Sequence, residues 1–140
     1  MSNPSPEIIE KVKQWLAFAE EDIRLAEHAM KLKSNVPSRL IAFHAQQCAE
    51  KYLKAYLVYR NVDFPYTHNI RRLLDLCAEH ADWVDNISDA KELTPYAITA
   101  RYPGEDEVVT PAEANSAVKL ANQVRQTVRS ALKDLGLDPP

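Results

Sequence analysis

Residues 38–60 read SRLIAFHAQQCAEKYLKAYLVYR, a stretch with neither proline nor glycine. At about 100° per residue, Ile41, Ala45, Cys48, Ala49, Tyr52 and Tyr56 fall on one side of a helix. His44, Gln47, Lys51 and Lys54 gather on a neighbouring polar strip. The stretch therefore predicts a long amphipathic helix whose apolar side needs other helices to cover it.

The rest of the chain supplies them. Proline is tolerated at a helix start but costs about 3 kcal/mol in a helix interior, and Pro6, Pro37, Pro65, Pro95, Pro103 and Pro111 leave proline-free stretches at 7–36, 38–64, 66–94 and 112–138. In the first, Val12, Leu16, Ala19, Ile23, Ala26 and Met30 follow a helical stripe that Trp15 widens, with Ser5-Pro6 as cap and first turn and Ser34-Asn35 as the end. Thr67 or Asn69 can cap a third helix through Ile70, Leu73, Leu74, Cys77 and Ala81, and one or two short helices follow near Ser88 and Thr94-Pro95. Thr110-Pro111-Ala112-Glu113 combines an N-cap, a first-turn proline and a glutamate three residues on. It opens a last helix striped by Ala117, Ala121, Val124, Val128, Ala131 and Leu135 and stopped by Gly136. The fold class expected is all-α: one domain over 1–140, an antiparallel up-and-down helical bundle of four long helices plus one or two short ones.

Composition narrows the function. The chain has 140 residues, 17 Lys+Arg against 20 Asp+Glu and a net charge of −3, which argues against a surface built to coat nucleic acid. Its 2 glycines, Gly104 and Gly136, cannot build a dinucleotide or phosphate-binding glycine loop. Cys48 and Cys77 form neither a zinc motif nor a disulfide framework, and no apolar run is long enough for a signal or a membrane span. A cytoplasmic protein with no membrane association, no metal and no cofactor is expected.

Charge is concentrated on the second helix, with four Lys/Arg against one Glu from Ser38 to Arg60. His44, Gln47, Lys51 and Lys54 offer point charges and amides to an anion lying along it; the plainer alternative is a solvated face with Glu50 and Lys54 as an i,i+4 pair. Arg101-Tyr102-Pro103 sets an arginine fork beside an aromatic ring, able to hold a phosphate and stack a base or to pair with the acidic run Glu105-Asp106-Glu107. His68, before the third helix, can act as a general acid or base or as a capping residue. His28 and His80 read as ordinary surface or packing residues. The adjacent Glu20-Glu21-Asp22 splay round their helix and do not converge on a metal.

Trp15, Ala19, Asp22 and Ala26, then the string from Ala42 to Leu57, then Thr67-His68-Asn69-Ile70 with Leu73-Leu74, and Ala100-Arg101-Tyr102-Pro103 together resemble the HEPN domain family. The second-helix string is similar to that family's A-x-x-x-x-Q-x-A-E-K-x-L-K-A-x-L. The resemblance implies a helical bundle, nucleotide binding, frequent homodimers, and pairing with a minimal nucleotidyltransferase in toxin–antitoxin-like systems. Many relatives are metal-independent ribonucleases with an arginine followed a few residues later by histidine near the later helices. Here His80 is the last histidine, so nothing after Arg101 completes that motif, and Arg39 with His44 matches the spacing only at the start of the second helix. The reading that results is a largely non-catalytic protein binding a nucleotide or RNA phosphate. Lys51, Lys54 and Arg101 would meet the anion, Tyr102 would stack, and His44, Gln47 and His68 would orient the ligand. Two alternatives stand beside it: a metal-independent endoribonuclease toxin using Arg39 and His44, or Arg101 with a histidine, and a dimeric helical adaptor without a small ligand.

Overall fold

In the computed structural model of the chain, residues 3–97 and 108–140 are described. All their regular structure is helical: α1 (Pro6–Ala29), α2 (Ser38–Tyr59), α3 (Ile70–Ala78), a kinked 3₁₀ segment (Val84–Ala97) and α4 (Pro111–Asp134). The starts follow the sequence signals. Ser5 Oγ accepts from the Ile8 amide at 3.2 Å, Asn69 rather than Thr67 caps α3, and Thr110 with Glu113 forms a reciprocal capping box. The ends are less regular. α1 stops at Ala29, where the Lys31 and Leu32 amides close tighter turns, and α3 spans only 9 residues, shorter than the leucine pattern suggests.

Side-chain register gives the path of the chain. Along α1 and α2 the paired residues run in opposite order, Asp22 with His44 and Trp15 with Lys54, so these helices are antiparallel. Tyr59 Oη donates to the Leu135 carbonyl at 2.9 Å and Arg129 reaches Tyr52, so α4 runs in the direction of α2. So does α3, which pairs His80 with Tyr56 and Cys77 with Leu53. The return legs are the 60–69 connection and the 3₁₀ segment.

α2 is the axis of the fold and touches every other element. Besides its predicted apolar side, Ala42, Leu53, Ala55 and Leu57 are fully buried. Ala19 and Ala26 of α1 and Ala42, Ala45 and Ala49 of α2 are buried with them, small side chains that allow close helix approach. Cys48 and Cys77 are free thiols in this core, and burial pushes Cys77 up to about 12 and Cys48 higher still.

One polar clamp fastens three helices. Glu20 of α1 accepts from Arg125 Nε at 2.6 Å and Nη2 at 3.2 Å, lies 3.6 Å from Arg129, and accepts from the Tyr52 hydroxyl of α2. Burial alone would push the Glu20 carboxyl up, but the hydrogen bonds from Arg125 and Tyr52 and the two guanidinium charges outweigh it and leave the group below its ordinary 4.5. Burial and the Glu20 bond push the Tyr52 phenol up. A carboxylate depressed in the folded state contributes stability that is fully present above 4.5 and is lost as pH falls through the folded value. Acid unfolding followed by circular dichroism should therefore show Glu20→Gln less stable than wild type at neutral pH, with the gap closing below about pH 4.5; a gap constant with pH would contradict the clamp.

Candidate functional site

The polar strip of α2 lies in a furrow. One bank is α1, through Trp15 and Asp22; the other is the 62–69 connection, through Phe64, Tyr66 and His68. Two carboxylates organise it. Asp22 binds His44 Nδ1 through Oδ1 at 2.8 Å and Lys51 Nζ through Oδ2 at 2.5 Å. His44 and Lys51 are one heptad apart on α2, so they share a face and Asp22 bridges them. Their side chains stay 25% and 22% exposed, open to a ligand without being free of their partner.

Glu50 is deeper, with its side chain 4% exposed. Its Oε1 accepts from Gln46 Nε2 at 3.0 Å and from His68 Nδ1 at 2.8 Å, and its Oε2 from Lys54 Nζ at 2.9 Å. Gln46 also donates to the His68 carbonyl and accepts from Gln47 Nε2 at 2.7 Å, which ties the chain of bonds back to the exposed strip. An ionised carboxylate only accepts, so Nδ1 of each histidine carries a proton and Nε2 is the ring nitrogen left over for a ligand. The Lys54 ammonium lies 5.6 Å from the ring centroid of Trp15, 5.8 Å from Phe64 and 5.9 Å from Tyr66, a cation held among three aromatic rings.

The structure thus brings His44, Gln47, Lys51 and His68 along one furrow and puts Lys54 beneath it, under the Trp15 and Phe64 rings, while Arg101 and Tyr102 lie outside the described residues. One expectation needs correction. Lys54 is not on a solvated strip and does not converge with Lys51 on one anion: its side chain is 5% exposed and bound to Glu50, while Lys51 is bound to Asp22. The i,i+4 pair of Glu50 and Lys54 exists, but buried. Sequence reasoning also left out Asp22 and Gln46 as site residues. The adjacent acidic residues do splay, with Glu20 going to α4, Asp22 to α2 and Glu21 exposed. Among the described residues no group of three His, Cys, Asp or Glu side chains could hold a metal ion.

Two of the hollows lie at opposite ends of α2. One of about 660 Å³ sits at its C-terminal end beside Tyr59, Arg60 and His80, away from every predicted site residue. A groove of about 540 Å³ opens on Asp22 and His44, with Glu21, Arg24, Leu25 and His28 around it. The second meets the chemistry of the furrow; the first is larger but draws no partner from it.

Comparison with known proteins agrees with this architecture. The family model of the HEPN domain matches residues 12–131, and the chain belongs to that family. It is similar to TT1696 from Thermus thermophilus, with 28% identity, a TM-score of 0.69, and 86% of this chain and 97% of that one covered. The fold is also that of ST0689, an archaeal HEPN homologue, at 24% identity and a TM-score of 0.69 over 86% of this chain and 96% of that one. No curated protein matches the chain.

Removing one member of a buried ion pair leaves the other uncompensated, at a cost of about 3–5 kcal/mol, whereas replacing both by neutral groups of similar volume is often neutral. Lys54→Met and Glu50→Gln should each lower stability by amounts of that order, and the double variant should recover most of the loss. A denaturant-melt double-mutant cycle showing simple additivity would rule the coupling out.

Proposed function

We propose that this protein binds a nucleotide or an RNA phosphate group in the α1–α2 furrow without cleaving it, and works as a cytoplasmic homodimer beside a minimal nucleotidyltransferase in a toxin–antitoxin-like pair. The observation that carries the binding is the Asp22 group. One buried carboxylate holds a histidine and a lysine side by side, both still partly exposed. Preorganised donors of this kind suit a phosphate better than freely rotating surface lysines do. Lys54 supports the furrow from beneath, and Arg101 is the arginine expected to add a contact from its own segment. The nucleotidyltransferase rests on the family resemblance alone.

The ribonuclease alternative is weakened at its proposed pair. Arg39 and His44 are five residues apart on one helix, about 140° in angle, so they face different ways. Arg39 is exposed, and His44 is committed to Asp22. Calorimetry against nucleotides and short RNAs should detect binding by the wild type. Each lost charge-assisted contact should weaken it by about 1.5–3 kcal/mol, roughly 10- to 150-fold, so Lys51→Ala with Arg101→Ala should abolish detectable binding while the helical signal persists. Absence of wild-type binding would reject this function in favour of an adaptor.

The homodimer is supported by the outer face of the same two helices. Phe18 and Leu25, 53% exposed each, and Leu40, 42% exposed, flank the Asp22 group, since Phe18 and Leu25 stand one turn either side of Asp22 and Leu40 one turn before His44. Glu21 and Arg24 border that face with opposite charges, which a two-fold axis would bring opposite one another. A second copy seated there would make the furrow a site shared by two subunits. Light scattering should give about twice the chain mass of 15.9 kDa, and Phe18→Glu with Leu25→Glu should return it to one chain; a wild-type monomer at high micromolar concentration would refute the dimer.

A further inference from the structure

Tyr66 has no part in the phosphate site, yet its placement is unusual. It is 91% exposed, while its ring is held from two directions. Its neighbour His68 packs edge-on against it, with ring centroids 5.3 Å apart and planes at 74°, and the Lys54 ammonium lies 5.9 Å from its centroid. Both holders are themselves fixed by one buried group, since Glu50 binds His68 Nδ1 and Lys54 Nζ through its two oxygens. The backbone beneath is pinned as well: Gln46 Nε2 donates to the His68 carbonyl at 3.1 Å, and the Asn69 amide donates to Thr67 Oγ1 at 3.1 Å. An aromatic ring left in water ordinarily gains nothing from being immobilised. One that borders a buried ion pair and leaves most of its surface uncovered presents a face on which a base can stack.

We propose that Tyr66 is a base-stacking platform and that the furrow takes single-stranded RNA, the base lying on the tyrosine ring and an adjoining phosphate accepting from Nε2–H of a His68 ring that carries protons on both nitrogens. This rests on the phosphate-binding reading above and adds what that reading lacks, a contact for the base. Two features favour nucleic acid over an apolar peptide: the ring stands next to an imidazole that is 44% exposed and oriented by a carboxylate, and the partly exposed cation Lys51 lies along the same furrow. Stacking on a protein ring tolerates any base, because every base has a π-face, so the platform selects unpaired strands and not a sequence. Glu50 and Lys54 act here as positioning residues.

The test compares a short fluorescein-labelled oligoribonucleotide with an abasic strand of the same length, by fluorescence anisotropy, on the full chain. Base stacking is worth about 1–3 kcal/mol per base, roughly 5- to 150-fold. Wild type should bind the base-bearing strand tighter by a factor in that range. Tyr66→Ala should lose that preference, Tyr66→Phe should keep it, and the dependence of affinity on salt should be the same in all three, because no phosphate contact is removed. Equal binding of the base-bearing strand by wild type and Tyr66→Ala overturns the platform and leaves the phosphate site standing. Tight binding of the abasic strand with no preference in the wild type does the same. No binding of either strand by the wild type overturns the platform and the RNA reading of the phosphate site together, and competition by an unrelated proline-rich peptide that displaces the strand only when Tyr66 is present would reassign the ring to peptide recognition.

Discussion

From Ala45 to Leu57 α2 is buried except at Gln47 and Lys51, so the polar groups on its covered sides have no water to fall back on. Gln46, Glu50 and Lys54 stand on it at 0%, 3% and 4% exposure, so each of their polar atoms must find a partner within the protein. Transfer of an isolated charge into such surroundings costs several kcal/mol, and a pair recovers that only with good geometry and further hydrogen bonds. Both conditions are met: Glu50 accepts three bonds, and no buried side-chain nitrogen or oxygen among the described residues lacks a partner. The consequence reaches beyond α2. His68 and Phe64 are drawn back along the helix to cover the pair, which fixes the return path of the 60–69 connection and the place where α3 begins. Trp15 closes the other bank, so the position of α1 answers to the same ammonium group.

That constraint also explains which parts of the structure were legible in the sequence. Caps and stripes are local, and they could be read: Ser5, the Thr110–Glu113 box, and the buried run Val12, Leu16, Ala19, Ile23 and Ala26 all stand where helical spacing puts them. The direction of the helices is harder to read, because the 60–69 connection and the 3₁₀ segment make the return legs that an up-and-down bundle gives to a long third helix, and α3 runs with α2 instead. The site was legible in membership but not in depth. Spacing places Lys54 beside Lys51, but it carries no information about Phe64 and Tyr66, which arrive from another segment to cover one lysine and leave the other at the surface. A signal was present in the ladder Gln46, Glu50, Lys54, polar groups at intervals of four on a helix otherwise lined by apolar residues. A ladder of that kind on a central helix can bond to itself, as Gln46 to Glu50 and Lys54 to Glu50 do here, and so can be buried.

The pairing of both lysines has a further consequence for how such a furrow recognises anything. Asp22 cancels Lys51 and Glu50 cancels Lys54, within a chain whose net charge is −3, so no strong positive field surrounds the site to draw an anion from a distance. What remains is short-range. A lysine side chain carries about 2 kcal/mol of rotamer entropy, and one already held by a carboxylate has given up much of it before the ligand arrives. A phosphate at Lys51 must share that ammonium with Asp22, and the gain in order is offset by the carboxylate's repulsion unless other donors take part. His44 is placed to be one of them only with protons on both ring nitrogens, Nδ1 then donating to Asp22 and Nε2 to the ligand. Recognition in the proposed mode would therefore depend on several weak contacts being satisfied together, which favours a ligand large enough to reach both histidines over a free anion. On the proposed reading, a contact from Arg101 or from a second subunit across Phe18 and Leu25 would then be part of the binding energetics and not an accessory to it.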